Sequence, residues 1–187
     1  MTEVSDEEIA TAVQSGNVEA FGELINRYEA KLKRYALKFL NTSEEIEDLV
    51  QDVFIKSYTN IQSFDAEQKF SPWIYRIAHN TFVNELKRKG RSGFSIFDAD
   101  TVLPFIVAKE TTDSKALENE LVEEMGHMID RLPLKYREAI VLHYYESLSY
   151  QEISEVLKIP VTTVGVRMTR ARAKLKELYQ ANELHHG

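Results

Sequence analysis

The stretch Leu148-Ser149-Tyr150-Gln151-Glu152-Ile153-Ser154-Glu155-Val156-Leu157-Lys158-Ile159-Pro160-Val161-Thr162-Thr163-Val164-Gly165-Val166-Arg167 decides the architecture. Ser149 followed by Glu152 is a capping-box pattern, which opens a short helix through Ile153, Val156 and Leu157. Lys158-Ile159-Pro160 leaves room for no more than a tight turn. A further helix begins at Val161, and residues 161–176 hold Arg167, Arg170, Arg172, Lys174 and Lys176 without a single acid. Upstream, Leu132-Pro133-Leu134-Lys135-Tyr136-Arg137-Glu138 starts another helix. Two short helices around a tight turn, the second basic, have the spacing of a helix-turn-helix.

Winding 161–176 at helical pitch puts Val161, Val164, Met168, Ala171 and Leu175 on one arc, expected to face the core. The opposite arc carries Thr162, Thr163, Val166, Thr169 and Arg170, flanked by Arg167 and Lys174, with Arg172 in the same basic island. Hydroxyls and N–H groups at a helix start hold phosphate. Arginine forks fit guanine edges, and a valine fits a thymine methyl. A cation-rich helix can also be a plain solvated face; the capped helix and turn ahead of it favour DNA.

The rest of the chain reads as helix too. Ser5-Asp6-Glu7-Glu8 caps a short helix bearing Ile9, Ala12 and Val13, ended by Gly16. Phe21, Leu24, Ile25, Tyr28, Leu32, Tyr35, Ala36 and Phe39 recur at helical spacing. Thr42-Ser43-Glu44-Glu45 opens a helix with the stripe Ile46, Leu49, Val50, Val53, Phe54 and Tyr58. Ser71-Pro72 reads as an N-cap and first-turn proline of a helix through Trp73, Ile77, Phe82 and Leu86. Residues 90–115 break the pattern, with one apolar run at Val102-Leu103-Pro104-Phe105-Ile106-Val107 that is expected to be buried in some functional state. The expected fold class is all-α: two small helical domains, 1–90 and 116–187, joined by a flexible linker over 91–115, the second a helix-turn-helix domain. A linker of about 25 residues exceeds the usual connection within one domain.

Composition narrows the function. The 187 residues carry a net charge of −7, yet the cations gather in two islands, Lys87 to Arg91 and Arg167 to Lys176. Zero cysteines exclude disulfides, thiolate metal sites and cysteine nucleophiles. No apolar run approaches a membrane span, and no signal-peptide pattern opens the chain, so a cytoplasmic protein is expected. His79, His127, His143, His185 and His186 are scattered without metal-ligand spacing, and no phosphate-binding glycine loop occurs. No enzyme activity, cofactor, metal or small-molecule substrate is expected.

Two separated segments carry a family resemblance. Glu47-Asp48-Leu49-Val50-Gln51-Asp52-Val53-Phe54-Ile55-Lys56, then Phe64, then Phe70-Ser71-Pro72-Trp73-Ile74-Tyr75-Arg76-Ile77-Ala78-His79-Asn80 form the first. Leu132 to Arg137, Leu148 to Ile153 and Ile159 to Arg172 form the second. Together, in this order, they resemble the extracytoplasmic-function group of bacterial sigma factors, the small two-domain initiation subunits of RNA polymerase. The resemblance implies core RNA polymerase and promoter DNA as partners, with the −10 element read by the first domain and the −35 element by the second. It also implies an anti-sigma factor, often membrane-tethered. Asp48, Gln51, Asp52 and Lys56 would then face the polymerase. Phe64, Phe70, Arg76, Asn80, Lys87, Arg88 and Lys89 would bind and help melt the −10 element, with a flipped base held near Phe64 and Asn80. Thr162, Thr163, Val166, Arg167, Arg170, Arg172 and Lys174 would read the −35 element. Where family members often carry a lysine and a small polar residue, this chain has Gly165-Val166. The competing reading is a helix-turn-helix regulator that is no polymerase subunit, which leaves Asp48 to Asn80 without a purpose.

Overall fold

The computed structural model describes residues 4–40, 43–88 and 125–186. The apolar run at 102–107, the linker around it, and Lys89 lie outside the described residues. Four helices make the N-terminal part: α1 (Asp6–Gln14), α2 (Phe21–Ala36), α3 (Ser43–Thr59) and α4 (Phe70–Arg88). The C-terminal part holds α5, whose described residues are 125–130, then α6 (Leu134–Ile140), α7 (Tyr150–Leu157) and α8 (Val161–His186). The described residues contain no strand. The all-α, two-domain architecture is as expected.

Local chemistry explains most boundaries. Both capping boxes form: Ser5 with Glu8, and Ser149 with Glu152. Gly16 takes φ +100° just past α1, a conformation that strains any residue with a Cβ. Lys158 closes α7 in the left-handed region, which turns the chain sharply into α8. Between α6 and α7, Val141–Tyr145 widens into a π-turn and Ser147 takes φ 57°.

Four details depart from the sequence reading. The helix expected to start after Ser71 begins at Phe70, because the Glu7 carboxylate of α1 accepts the Phe70 N–H at 2.9 Å and caps it from another helix. Ala10, rather than Ala12, is fully buried on α1. Val161 is exposed instead of core, since it sits in the first turn beyond the edge of the domain. Helix α8 runs to His186, ten residues beyond the 161–176 stretch wound from the sequence.

The N-terminal core is aromatic. Tyr28, Tyr35, Phe39, Phe70, Tyr75 and Phe82 are buried, and neighbouring rings meet edge-on, as Tyr35 and Tyr75 do at 5.4 Å. Phe82 lies in this core, while Trp73 is half-buried. In the C-terminal domain Leu132, Ala139, Leu142, Ile153, Val156, Val164, Met168 and Ala171 pack together. The two cores are contiguous, and helix α4 lies against α7.

Candidate polymerase and nucleic-acid interfaces

Helix α3 turns Asp48, Gln51 and Lys56 outward, with Asp52 half-buried among them. Lys56 Nζ pairs with Asp52 Oδ2 at 2.6 Å and donates to Thr81 Oγ1 of α4 at 3.2 Å. This face therefore carries a fixed polar pattern on one side. Beside it stands Ile55, 64% exposed, over a groove that Ile25 and Val50 also line. Ile55 falls off the buried stripe of α3, so the helical spacing of the sequence does not mark it.

The second site lies between the turn after α3 and the start of α4. Phe64 packs its ring 5.4 Å from both Phe70 and Trp73. Phe64 and Phe70 were expected to meet bases, yet here both are buried; they build the cleft wall from behind. Trp73 and Arg76 reach the cleft surface. Gln14 pins the loop from α1, donating to the carbonyls of Ile61 and Phe64 at 2.8 Å each. Nothing in the sequence marks Gln14 or Glu7 for this bracing, because both act across more than forty residues.

Asn80 is exposed one position from His79, which is buried. Lys87 and Arg88 project at the end of α4, with Arg88 forked onto Glu85 by two bonds of 2.8 Å. The cations thus follow the aromatic cleft along one helix.

On α8, Thr162, Val166, Thr169, Arg170 and Lys174 are exposed and Thr163 is half-buried. Thr169 donates to the Gly165 carbonyl at 3.0 Å. Arg172 is also exposed, but its guanidinium donates to the hydroxyls of Tyr144 and Tyr150 at 3.1 Å each. It braces the π-turn against the recognition helix. Arg167 corrects the sequence reading most: it is only 7% exposed and sits in the seam between the domains, not on an open face.

That seam encloses a buried polar group. One Glu138 oxygen stands 3.9 Å from Arg167 Nη1, and the other, which has no hydrogen-bond partner, 3.9 Å from His79 Nδ1. Both separations are too long for hydrogen bonds. Burial pushes the Glu138 carboxyl up to about 7 despite the nearby Arg167 and Arg137. Burial, with Arg167, Lys158 and Lys87 adding to it, pushes His79 down to about 4. The imidazole is therefore neutral near pH 7, and its Nδ1 faces the Tyr35 hydroxyl at 3.3 Å.

Comparison with known proteins places both domains. Residues 24–92 match the model of Sigma-70 region 2, and residues 123–175 match that of Sigma-70, region 4. The ECF RNA polymerase sigma factor SigW of Bacillus subtilis is 35% identical over 179 residues, covering 88% of this chain and 91% of that protein. The chain belongs to the extracytoplasmic-function sigma factors. The sigma-E factor of Escherichia coli K12 is similarly related, at 33% identity over 95% of this chain and 96% of its own length. Among solved structures, CnrH in complex with the cytosolic domain of CnrY aligns at TM-score 0.68 and 29% identity, over 95% of this chain and 99% of that one. RpoE in complex with the anti-sigma factor NepR, from Bartonella quintana, aligns at TM-score 0.69 and 25% identity, over 86% and 96%. This sigma factor is a transcription initiation factor. It serves RNA polymerase in recognising promoters. Among the described residues no cluster of His, Asp and Glu could hold a metal ion, and no helix is long and apolar enough to cross a membrane.

Proposed function

We propose that this sigma factor divides promoter work between its two ends. Residues 1–90 bind core polymerase through Asp48, Gln51, Asp52 and Lys56, with Ile55 as apolar anchor. The same domain binds the −10 element as a single strand. Strand separation needs a place for unstacked bases beside cations for their backbone. Trp73 over the Phe64–Phe70 wall supplies the stacking surface, Asn80 the polar edge-reader, and Arg76, Lys87, Arg88 and Lys89 the charge. Residues 116–187 read the −35 element with Thr162, Thr163, Val166, Arg170 and Lys174. Arg167, buried beside Glu138, stands apart from them, and Arg172 acts as a brace. Residues 91–115 connect the two.

The observation that carries this reading is the pairing, in one chain, of an aromatic cleft backed by cations with a basic helix-turn-helix. Neither element alone needs the other, and a regulator acting without polymerase has no use for the first. The protein acts in the cytoplasm. An anti-sigma factor, held at the membrane in some systems, is the expected regulator, since related sigma factors are solved with such partners. Run-off transcription with core polymerase on a genomic promoter library tests the proposal. Promoter-dependent transcripts that require this chain support it, and duplex binding without any polymerase-dependent transcript refutes it.

A further inference from the structure

Helix α1 stands ahead of the region 2 segment, which begins at residue 24. Two of its side chains nevertheless reach the single-strand cleft from behind, one at each end of the same loop. Gln14 Nε2 donates to the carbonyls of Ile61 and Phe64, and Gln62 Nε2 returns a bond to the Gln14 carbonyl at 3.0 Å. Two turns earlier on α1, the Glu7 carboxylate accepts the Phe70 N–H at 2.9 Å. Between Phe64 and Phe70 run residues 65–69, all of them exposed. Asp65, Glu67, Gln68 and Lys69 form a lip of the cleft beside Trp73 and Arg76. The fastened groups therefore include the last carbonyl before the lip and the first N–H after it. Inside the lip, Asp65 accepts from the backbone of Glu67 and Gln68, which folds the tip upon itself without fixing its ends. Lys69 reaches Glu152 Oε1 on α7, the facing wall, at 2.9 Å, but that pair orders an exposed side chain and not the backbone. Helix α1 is itself held in place. Ile9, Ala10 and Val13 are buried, and Asp6 accepts from Arg27 and Tyr28 of α2. Residues two turns apart share one helix face, roughly 10 Å from one another, so α1 is a rigid spacer between the ends of the lip.

We propose that α1 is the positioning element of the single-strand cleft, with Glu7 and Gln14 setting the separation of the lip's two ends. Both are positioning residues, acting through the backbone of the loop and not by touching DNA. The proposal rests on the assignment of this cleft to the single-stranded −10 element. Phe64 and Phe70, where the lip is fastened, are also the rings that back Trp73, so lip and stacking surface are set together. With one end released, the lip samples wider shapes and the site is complete in only a fraction of molecules. Apparent affinity then falls by that fraction. The two fastenings serve one lip, so their losses overlap instead of adding. Polymerase docking on α3 and upstream contacts on α8 belong to other elements and stay unchanged.

The full-length chain bound to core polymerase provides the test. The probe is a short fluorescent single-stranded DNA of random sequence, and Arg76→Ala defines the share of binding that the cleft supplies. Glu7→Ala removes the acceptor from Phe70, and Gln14→Ala removes the donor to both carbonyls. Glu7→Gln keeps an oxygen acceptor in the same place. Each alanine variant is expected to lose about tenfold in cleft-borne affinity, and the two together little more than either alone. Glu7→Gln is expected to stay near wild type, and the polymerase affinity of every variant to be unchanged. A merely structural role would lower the urea midpoint and leave the affinity of folded molecules as it was. Folded alanine variants with wild-type affinity therefore overturn the proposal, as does a Glu7→Gln chain as weak as Glu7→Ala. Should the alanine variants fail to fold, Gln62→Ala decides, since Gln62 is exposed. Loss of its return bond is expected to cost about threefold, and no loss overturns the proposal. If Arg76→Ala changes nothing, the cleft assignment itself fails and the proposal falls with it. If Arg76→Ala abolishes binding that the α1 variants retain in full, the assignment stands and the positioning role fails.

Discussion

The proposed division of labour along the promoter rests on individual side chains. Asn80 is exposed but makes no wall of the N-terminal core. Asn80→Ala should therefore leave the fold and upstream binding intact while slowing open-complex formation, read by permanganate reactivity of −10 thymines. Arg170→Ala should weaken upstream binding by about 1–3 kcal/mol if the fork contacts a base, read by competition binding with the polymerase complex. Equal loss of both activities in both variants contradicts the division. Gly165 offers a separate test. A Cβ built there meets nothing within 4 Å. Gly165→Ala should therefore stabilise the chain by roughly 1 kcal/mol in urea unfolding, and a destabilised variant would mean the helix is strained at that point. Single residues were also where the sequence was least legible. Thr162, Val166 and Arg170 follow from helical pitch alone, which is a local property. Arg167 lies on the same pitch, but it is buried by tertiary packing, with Glu138 of α6 standing 3.9 Å away. Ile55 escaped for a related reason, since an apolar residue off the stripe has meaning only once its neighbours are known to be solvent.

At the level of the helices, the sequence carried most of the information, because caps, turns and stripes act over a few residues. The Ser149–Glu152 box is the clearest case: Glu152 N donates to Ser149 Oγ at 3.3 Å and Ser149 N to Glu152 Oε2 at 2.7 Å. Ser149→Ala should cost about 1 kcal/mol and, by loosening the helix that positions α8, lower −35 binding more than −10 binding. Thermal unfolding and competition binding check the two halves, and an unchanged melting temperature would show that tertiary packing alone holds α7. The start of α4 shows where this kind of reading stops. Ser71-Pro72 has the look of a cap, and the true cap is a carboxylate on α1. A helix whose first N–H is satisfied from another element leaves no trace beside itself in the sequence.

For the whole molecule, the seam couples stability to pH in two opposing ways. His79 is held at about 4 against an ordinary 6.5. Its contribution is full above about pH 6.5 and is lost as pH falls towards 4. Glu138 is held at about 7 against an ordinary 4.5. Its contribution is full below about pH 4.5 and is lost as pH rises towards 7. Tyr35 from α2, His79 from α4, Arg137 from α6 and Arg167 from α8 all face this carboxyl. Between about 4.5 and 6.5 the two slopes oppose. Glu138→Gln removes one of them, so the variant should gain stability relative to wild type as pH rises through that window. The slope approaches about 1.4 kcal/mol per unit at most, measured by urea unfolding at stepped pH. A difference independent of pH would place Glu138 in contact with water.

The same seam gives ionic strength a double role. Added salt weakens cation–phosphate contacts, and the logarithm of affinity falls in proportion to the logarithm of salt concentration. It also loosens exposed pairs, and Lys69 is 74% exposed in its pair with Glu152. Lys38–Asp130 is largely buried and is screened far less. Salt therefore releases the cleft while it weakens what the cleft can hold. Glu152→Gln removes the charged pair at the cleft mouth, and the wild-type chain should lose single-strand affinity less steeply than this variant over about 50–200 mM salt. The salt response of the cleft is then set by a carboxylate on the helix that faces it.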